Sequence, residues 1–158
     1  MGTIAKFAVA VLVLRQNDGA WECVQVARKT DHTQWSLPGG KIDTPEENPI
    51  PLPLTRAIPT PLHRAEIPRR AAWRELLEET GIDCNMDTLI ELETVLDSGG
   101  YLTTFYMLAV NHPFPDALQP LHGYVHGEAP VRWGRIEELF GGPFGDENRE
   151  RFRKLGLI

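Results

Sequence analysis

Cysteine is scarce in this sequence. The 158 residues include two, Cys23 and Cys84. They are too few for a disulfide framework, and their spacing is not that of a metal-ligand pair. Because disulfides are rare in reducing compartments, we expect two free thiols in a cytoplasmic protein.

Positive charge is also in short supply. Lysine and arginine together number 16 against 22 acidic residues, so the formal net charge is −6. Proteins that bind nucleic acid without sequence preference obtain most of their affinity from clustered basic residues. The charge balance therefore argues against a nucleic-acid partner.

The sequence has no long hydrophobic run. The apolar stretch near the N-terminus, from Phe7 to Leu14, is eight residues long and is closed by Arg15. It is too short to cross a bilayer, and no small-residue cleavage site of a secretion signal follows it. We predict instead a buried first strand from Ile4 to Leu14 and no association with a membrane.

Internal repeats and coiled-coil heptads are absent as well. A chain of this length, with 42% hydrophobic residues, can bury a core of its own but is too short for two ordinary domains. We therefore expect one domain over residues 1–158.

An acidic helix is the strongest feature that the sequence does contain. In the stretch from Arg74 to Ile82, the carboxylates of Glu75, Glu78 and Glu79 recur at the i, i+3 and i+4 spacing of one helix face. Gly81 is suited to end such a helix in a left-handed conformation.

The other face of this helix is apolar. Ala72 pairs with Leu76, and Trp73 pairs with Leu77, at the i, i+4 spacing of a helix that packs on a core. Carboxylate oxygens gathered on the polar face are the ligands that Mg²⁺ and Mn²⁺ prefer. Taken alone, the acidic face is more typical of a solvated surface helix than of a metal site, so the preceding sequence has to decide.

That preceding sequence is a glycine turn, Trp35-Ser-Leu-Pro-Gly-Gly-Lys-Ile-Asp-Thr-Pro-Glu46. Gly40, five residues, Glu46 and then Arg74 to Ile82 together resemble the Nudix box, in which a glycine and a glutamate precede R-E-U-x-E-E-x-G-U and U is a bulky aliphatic residue. Every fixed residue type of that box is present. On this basis the chain is identified as a member of the Nudix hydrolase superfamily.

One spacing departs from the family pattern. The family has seven residues between the first glutamate and the arginine, whereas 27 residues separate Glu46 from Arg74 here. We place this excess at about residues 47–66, where prolines alternate with aliphatic residues, and predict an extended surface loop before a helix that starts at Pro68. The insertion is interpreted as a lid over the substrate pocket, as a contact in a homodimer, or as a passive surface excursion.

The resemblance implies the fold and the chemistry. The fold class is α+β, a Nudix-like α/β/α sandwich with a mixed β-sheet. Glu75 and Glu79 are implied as ligands of Mg²⁺ or Mn²⁺, and Glu78 as a further ligand or the general base. Arg74 is implied to orient a neighbouring carboxylate.

Four further positions follow from the same resemblance. The carbonyl of Gly39 can add a metal ligand. Gly40 and Glu46 are implied to support the metal ligands. Glu46 would do so as the partner of Arg74 or as an outer ligand. Glu128, in a late loop, is a candidate catalytic base. A structural or solvent role is the alternative for Glu128.

Substrate binding is less specific in the sequence. Arg28, Lys41 and Tyr101 are candidates for contacts with a nucleotide, although solvated surface charge explains the two cations equally well. The turn sequence is similar to that of nucleoside triphosphate pyrophosphohydrolases of the nucleotide-pool-cleaning type. The alternatives are hydrolysis of dinucleoside polyphosphates, ADP-ribose or sugar nucleotides, a nucleotide-binding sensor without catalysis, and an interaction module that uses the proline-rich loop.

The rest of the chain predicts strands and one more helix. A turn at 16–19 is expected to join the first strand to a second at 21–27, and a hairpin is expected from strands 88–96 and 101–110. A short strand at 131–133 precedes a final helix from Glu147 to Leu155, with Asp146 as its cap.

Overall fold

The structure is a computed structural model, and its described part comprises residues 6–42, 61–96, 100–108, 114, 117–121, 123, 129–142 and 144–158. Its strands are β1 (Lys6–Leu12), β2 (Leu14–Asn17), β3 (Ala20–Ala27), β4 (Trp35–Ser36), β5 (Gly39–Lys41), β6 (Leu89–Leu96), β7 (Tyr101–Leu108) and β8 (Val131–Arg135). Its α-helices are α1 (Pro61–Thr80) and α2 (Gly145–Lys154), and short 3-10 helices span Met86–Thr88 and Ile136–Leu139.

The first sheet is mixed. Its strand order is β5-β1-β7-β6, in which β1 and β7 are parallel and the outer pairs are antiparallel. The register places Ala10 of β1 between Gly39 of β5 and Phe105 of β7. All three residues line the cavity of the candidate functional site.

The second sheet is antiparallel and is built around β3. Strands β2 and β4 pair with successive parts of β3, and β8 pairs along it as well. The turn between β2 and β3 is formed by Asp18 and Gly19, both with positive φ, 52° and 78°. Two such residues are what a tight hairpin turn requires, so a hairpin that leads into β3 is confirmed. The prediction of one buried strand from Ile4 to Leu14 was wrong, because β1 ends at Leu12 in the first sheet and β2 begins at Leu14 in the second.

The two helices pack on opposite sides of the first sheet. On one side, Ala72 and Leu76 of α1 are buried in a cluster with Val9 and Val11 of β1. On the other side, Phe152 of α2 is buried in a second cluster that includes Leu12 and Leu14. Because successive side chains of a strand point to opposite faces, β1 contributes to both clusters, and the α/β/α sandwich with a mixed sheet is confirmed.

Helix α1 begins earlier than the sequence suggests. It starts at Pro61 and contains Pro68 in its interior, so the expectations of an extended loop as far as residue 66 and of a helix start at Pro68 were wrong. Proline is well tolerated at the first helical position. An internal proline costs about 3 kcal/mol, which burial of the apolar face of α1 downstream offsets. Residues 43–60, with most of the insertion, lie outside the described residues.

Helix α1 ends as expected. Gly81 has φ +77°, and its amide donates to the carbonyl of Leu77 at 2.9 Å. The carbonyls of Thr80 and Glu78, which have no partner inside the helix, accept from the amides of Gln119 and Leu121 at 3.2 and 2.9 Å. The helix end thereby fixes the start of the late loop.

The remaining elements agree with the sequence in kind but differ at their ends. Strands β6 and β7 and the short strand β8 are present, and residues 97–99, 109 and 110 lie outside the described part. Helix α2 starts at Gly145, with Phe144 as its N-cap residue and no side-chain cap. The prediction that Asp146 caps this helix was therefore wrong, because Asp146 lies inside the first turn, where its charge favours the helix dipole. Over the described residues, no helix combines the length and apolar character needed to cross a membrane.

We expect Gly81→Ala to destabilise the fold more than Gly156→Ala does. Both glycines follow a helix with a positive φ, which costs other residues about 1–2 kcal/mol. A Cβ on Gly81 would also lie 2.5 Å from the carbonyl oxygen of Gln119, whereas a Cβ on Gly156 meets nothing within 4 Å. Urea unfolding of both variants measures the difference. An equal loss of unfolding free energy in the two variants would show that the contact with Gln119 does not contribute to stability.

We also expect Tyr106→Phe to stabilise the protein. The hydroxyl of Tyr106 is buried and has no hydrogen-bond partner in the described part of the chain, which costs about 1–3 kcal/mol. Burial raises the pKa of this phenol to about 12. Because unfolded tyrosine loses its proton near pH 10, the free energy of unfolding of the native sequence should fall as pH rises from about 10 to 12.

The Tyr106→Phe variant should show a smaller fall over the same pH range. Part of the decline should remain, because burial also raises the pKa of the Cys23 thiol to about 12. Urea unfolding at neutral and alkaline pH tests both statements, and an unchanged slope together with lower stability at neutral pH would contradict them.

Candidate functional site

Helix α1 presents two carboxylates to the glycine strand β5. Glu75 and Glu79 are one turn apart, and the amide of Gly39 donates to Oε1 of Glu79 at 2.8 Å. Gly40 leaves room for the other carboxylate, since a Cβ on Gly40 would lie 2.4 Å from Oε1 of Glu75. The two glycines thus allow the acidic face of the helix to lie directly against a strand backbone.

The pairing of β5 with β1 orients the backbone of Gly39. Val11 donates to the carbonyl of Pro38 at 2.9 Å, and Ile42 donates to the carbonyl of Phe7 at 3.0 Å. Because such bonds alternate along an antiparallel pair, both the amide and the carbonyl of Gly39 face away from β1. The carbonyl of Gly39 is therefore directed to the side on which its amide meets Glu79.

Arg74 connects Glu75 to Glu78, the third carboxylate of the Nudix helix. Its guanidinium donates to Glu75 and to Glu78, at 3.0 Å in each case. The side chain of Glu78 is 45% exposed, and this residue does not line the cavity described next, whereas Glu75 and Glu79 do. The structure therefore does not bring the three carboxylates together, and among the described residues no three Asp, Glu, His or Cys side chains form a metal cluster.

A cavity of about 710 Å³ opens beside this contact. Its floor includes the small side chains of Ala8 and Ala10 on β1 and those of Thr103 and Phe105 on β7. The depression is open at Ala10 because its neighbour on β5 is Gly39, which has no side chain, whereas its neighbour on β7 is the larger Phe105. A volume of this size lies within the range of small-molecule sites, about 300–1,000 Å³.

Basic residues line one part of the cavity. Arg28 and Lys29 come from the loop after β3, which is closed by a hydrogen bond from the amide of Arg28 to the carbonyl of Gln34 at 2.9 Å. In the same loop, hydrogen bonds from Thr33 lower the pKa of the Asp31 carboxyl. A third cation, Lys41 of β5, lies over the ring of Tyr101 at 5.6 Å and also lines the cavity.

The opposite wall comes from α2, and the sequence analysis missed it. Arg151 lies over the ring of Phe105, with 3.3 Å from its guanidinium carbon to the ring centroid, and donates to Glu93 at 3.2 Å and to Asn148 at 3.1 Å. Burial lowers the pKa of Arg151, and the nearby Glu93 opposes that shift. The available signal was two polar residues, Asn148 and Arg151, on the same helix face as the apolar Phe152.

The NUDIX domain family model matches residues 5–155. The chain belongs to the NUDIX domain family. As this assignment implies, it is a Nudix-type pyrophosphohydrolase, an enzyme that hydrolyses phosphoanhydride bonds. The Nudix box of this chain supplies the α1 carboxylates and the two glycines of β5.

Solved structures resemble the chain in fold at low sequence identity. The Ap4A hydrolase of C. elegans has a TM-score of 0.58 and 18% identity, over 96% of this chain and 99% of that one. The NUDIX domain of Shewanella oneidensis NrtR, complexed with ADP ribose, has a TM-score of 0.59 and 20% identity, over 96% and 90%. The dihydroneopterin triphosphate pyrophosphohydrolase of E. coli has a TM-score of 0.57 and 17% identity, over 96% and 97%. No curated protein sequence matches this one.

The cavity brings together most of the residues that the sequence singled out. It is lined by Glu75, Glu79, Gly39, Gly40, Arg28, Lys41 and Tyr101. Arg74 and Glu78 lie beside it on the Nudix helix and are joined to each other and to Glu75 through the guanidinium. Glu46 and Glu128 lie outside the described residues, so their roles stay predictions.

We expect Gly40→Ala to impair the Nudix site without unfolding the protein. The new Cβ would occupy the position of the Glu75 carboxylate and displace it. A displacement of about 1 Å at a catalytic group can lower activity by roughly 100-fold. Pyrophosphohydrolase activity measured beside Gly141→Ala, whose Cβ meets nothing within 4 Å, tests this. Equal activity of the two variants would show that the position of Glu75 does not matter.

Proposed function

We propose that this Nudix enzyme hydrolyses a diphosphate bond in a nucleoside diphosphate that is linked to another group, with a nucleoside triphosphate as the substrate and a nucleoside monophosphate and pyrophosphate as products. One observation carries the proposal. A single cavity contains two helix carboxylates, cations from the loop after β3, from β5 and from α2, and aromatic rings. The carboxylates suit a metal ion, the cations suit the phosphates of a nucleotide, and the aromatic rings suit its base.

The donor set at the carboxylate edge suits Mg²⁺ or Mn²⁺. Glu75 and Glu79 would hold the cation, with the carbonyl of Gly39 as a further oxygen donor. Magnesium keeps several waters and takes one or two carboxylates together with substrate phosphates, so a cluster of three protein carboxylates is not needed. A divalent cation bound there would neutralise phosphate charge and lower the pKa of a bound water.

Arg74 and Glu78 act on the helix itself. The guanidinium of Arg74 fixes the Glu75 carboxylate by a hydrogen bond and bonds Glu78 with its other amino group. Glu78, half exposed beside the site, is proposed as the general base that takes a proton from the attacking water. Glu128 is the second candidate for that role, and Glu46 for support of Arg74.

Phosphate oxygens would meet the basic wall. Lys41 is in the same strand as the two glycines that contact Glu75 and Glu79, and it lines the same cavity. Arg28 and Lys29 approach from the loop after β3. Cations on two sides would hold a polyphosphate chain across the carboxylates and hold its reactive phosphorus near them.

The substrate class rests on the glycine turn and on the extent of the cavity. The names of the structural relatives include an Ap4A hydrolase and a triphosphate pyrophosphohydrolase, and one relative was solved with ADP ribose. Dinucleoside polyphosphates and ADP-ribose or sugar nucleotides are therefore the competing substrates. A sensor that binds nucleotide without turnover is the competing function.

The setting of the enzyme is proposed on similar grounds. Cys23 and Cys84 are both buried and unpaired, which supports a reducing, cytoplasmic environment. The partner is a free nucleotide. A homodimer built on the insertion stays a prediction, because residues 43–60 lie outside the described part of the chain.

We expect nucleoside triphosphates to be hydrolysed to nucleoside monophosphate and pyrophosphate with Mg²⁺ or Mn²⁺. We expect Glu79→Gln to lower the rate of pyrophosphate formation by about 100-fold or more, as the loss of a group that holds a catalytic metal does. Glu150→Gln is the matched control, since this carboxylate is exposed and pairs with Arg153 at 2.6 Å. The assay should compare nucleoside triphosphates with dinucleoside polyphosphates, ADP-ribose and sugar nucleotides.

Two results would contradict the proposal. Faster turnover of another class in the panel would replace the nucleoside triphosphate as substrate. No turnover of any substrate in the panel, with nucleotide binding retained by the folded protein, would favour the sensor.

A further inference from the structure

Arg151 is a buried cation at the side of the cavity away from the Nudix helix. Its side chain is 6% exposed, yet it lines the cavity. Three contacts hold it: the ring of Phe105 beneath it, Glu93 at Nε and the side-chain oxygen of Asn148 at Nη1. These three contacts give the guanidinium a defined orientation, which directional hydrogen bonds to a ligand require.

The hydrogen bonds to Glu93 and Asn148 use Nε and Nη1 of Arg151, and the residue lines the cavity. Within the described residues, its Nη2 group makes no hydrogen bond. Phe144 and Leu37 also line this cavity, and the ring of Phe105 lies under the guanidinium. A flat, partly apolar ligand with hydrogen-bond acceptors at its edge matches such surroundings.

The charge of Arg151 is already compensated. Glu93 pairs with it at 3.2 Å, and Lys154 lies 3.7 Å from the other oxygen of Glu93. Glu147, which lines the cavity from the same helix, adds a further negative charge nearby. A phosphate is therefore better served by Arg28, Lys29 and Lys41, and a neutral acceptor is better suited to Arg151.

The position of Arg151 fits the length of a nucleotide. Gly39, Ala10 and Phe105 are neighbours across three adjacent strands, and neighbouring strands are about 4.8 Å apart. Arg151, above Phe105, is thus displaced by about 10 Å across the sheet from the strand that contacts Glu79. A base joined through its sugar to a phosphate at the carboxylates reaches that far.

We propose that Arg151 is the residue that recognises the nucleobase, by donating from its guanidinium to a base edge with two acceptors, such as the N7 and O6 atoms of guanine. Arginine binds that edge in a bidentate manner. Adenine presents an amino donor in place of O6 and loses one of the two bonds. The inference rests on the proposed function, since it assigns the base specificity of the same site.

Nucleoside monophosphate binding without metal tests this assignment separately from catalysis. Calorimetry on the native protein should give GMP about 10-fold tighter binding than AMP, and 7-deaza-GMP, which lacks the N7 acceptor, should lose most of that advantage. Arg151→Lys keeps the charge but replaces the fixed planar fork by a flexible ammonium group, so it should reduce the preference for GMP over AMP. Arg153→Lys, in the same helix but exposed and paired with Glu150, should keep the preference.

Several outcomes would overturn the assignment. Equal binding of GMP and AMP to the native protein, undiminished binding of 7-deaza-GMP, or no binding of any monophosphate would each do so. The 7-deaza comparison needs no variant, so the test holds even where Arg151→Lys fails to fold. A guanine preference in binding, found together with no turnover of any substrate in the panel, would contradict the proposed hydrolysis and leave the base assignment intact.

Discussion

The site depends on one contact, the acidic face of α1 against the backbone of β5. The amide of Gly39 holds Glu79, and the missing side chain of Gly40 leaves space for Glu75. A Cβ on Gly39 would itself lie 2.1 Å from the carbonyl oxygen of Val9. Two adjacent glycines are therefore required, one for the approach of β5 to β1 and one for the approach of α1 to β5.

Burial on both faces of the first sheet keeps this contact in place. The apolar side of α1 is anchored through Leu76, while α2 is anchored through Phe152 on the other face. The end of α1 is held by the amides of Gln119 and Leu121. Because the helix is fixed along its apolar face and at its end, its carboxylates cannot move away from β5 without a loss of core packing.

Charge is separated across the cavity floor. Glu75 and Glu79 of α1 lie against β5, the strand that also contains Lys41. Arg151 lies two strands away with its charge balanced by Glu93. A nucleotide has the same division, since its charged phosphates and its neutral base are separated by the sugar. The arrangement therefore gives the two ends of one ligand different surroundings in one cavity.

The sequence by itself determined the local parts of this protein: the spacing of Glu75 and Glu79, the left-handed end of the helix at Gly81 and the hairpin turn at Asp18 and Gly19. These follow from periodicity and backbone sterics, which act over a few residues. Only the tertiary structure decided that α1 continues through Pro68, that Glu78 turns to Arg74 outside the cavity, and that Arg151 completes the far wall. The reason is physical: packing free energy offset the cost of an internal proline, and the contact between Arg151 and Phe105 joins residues whose proximity no local pattern encodes.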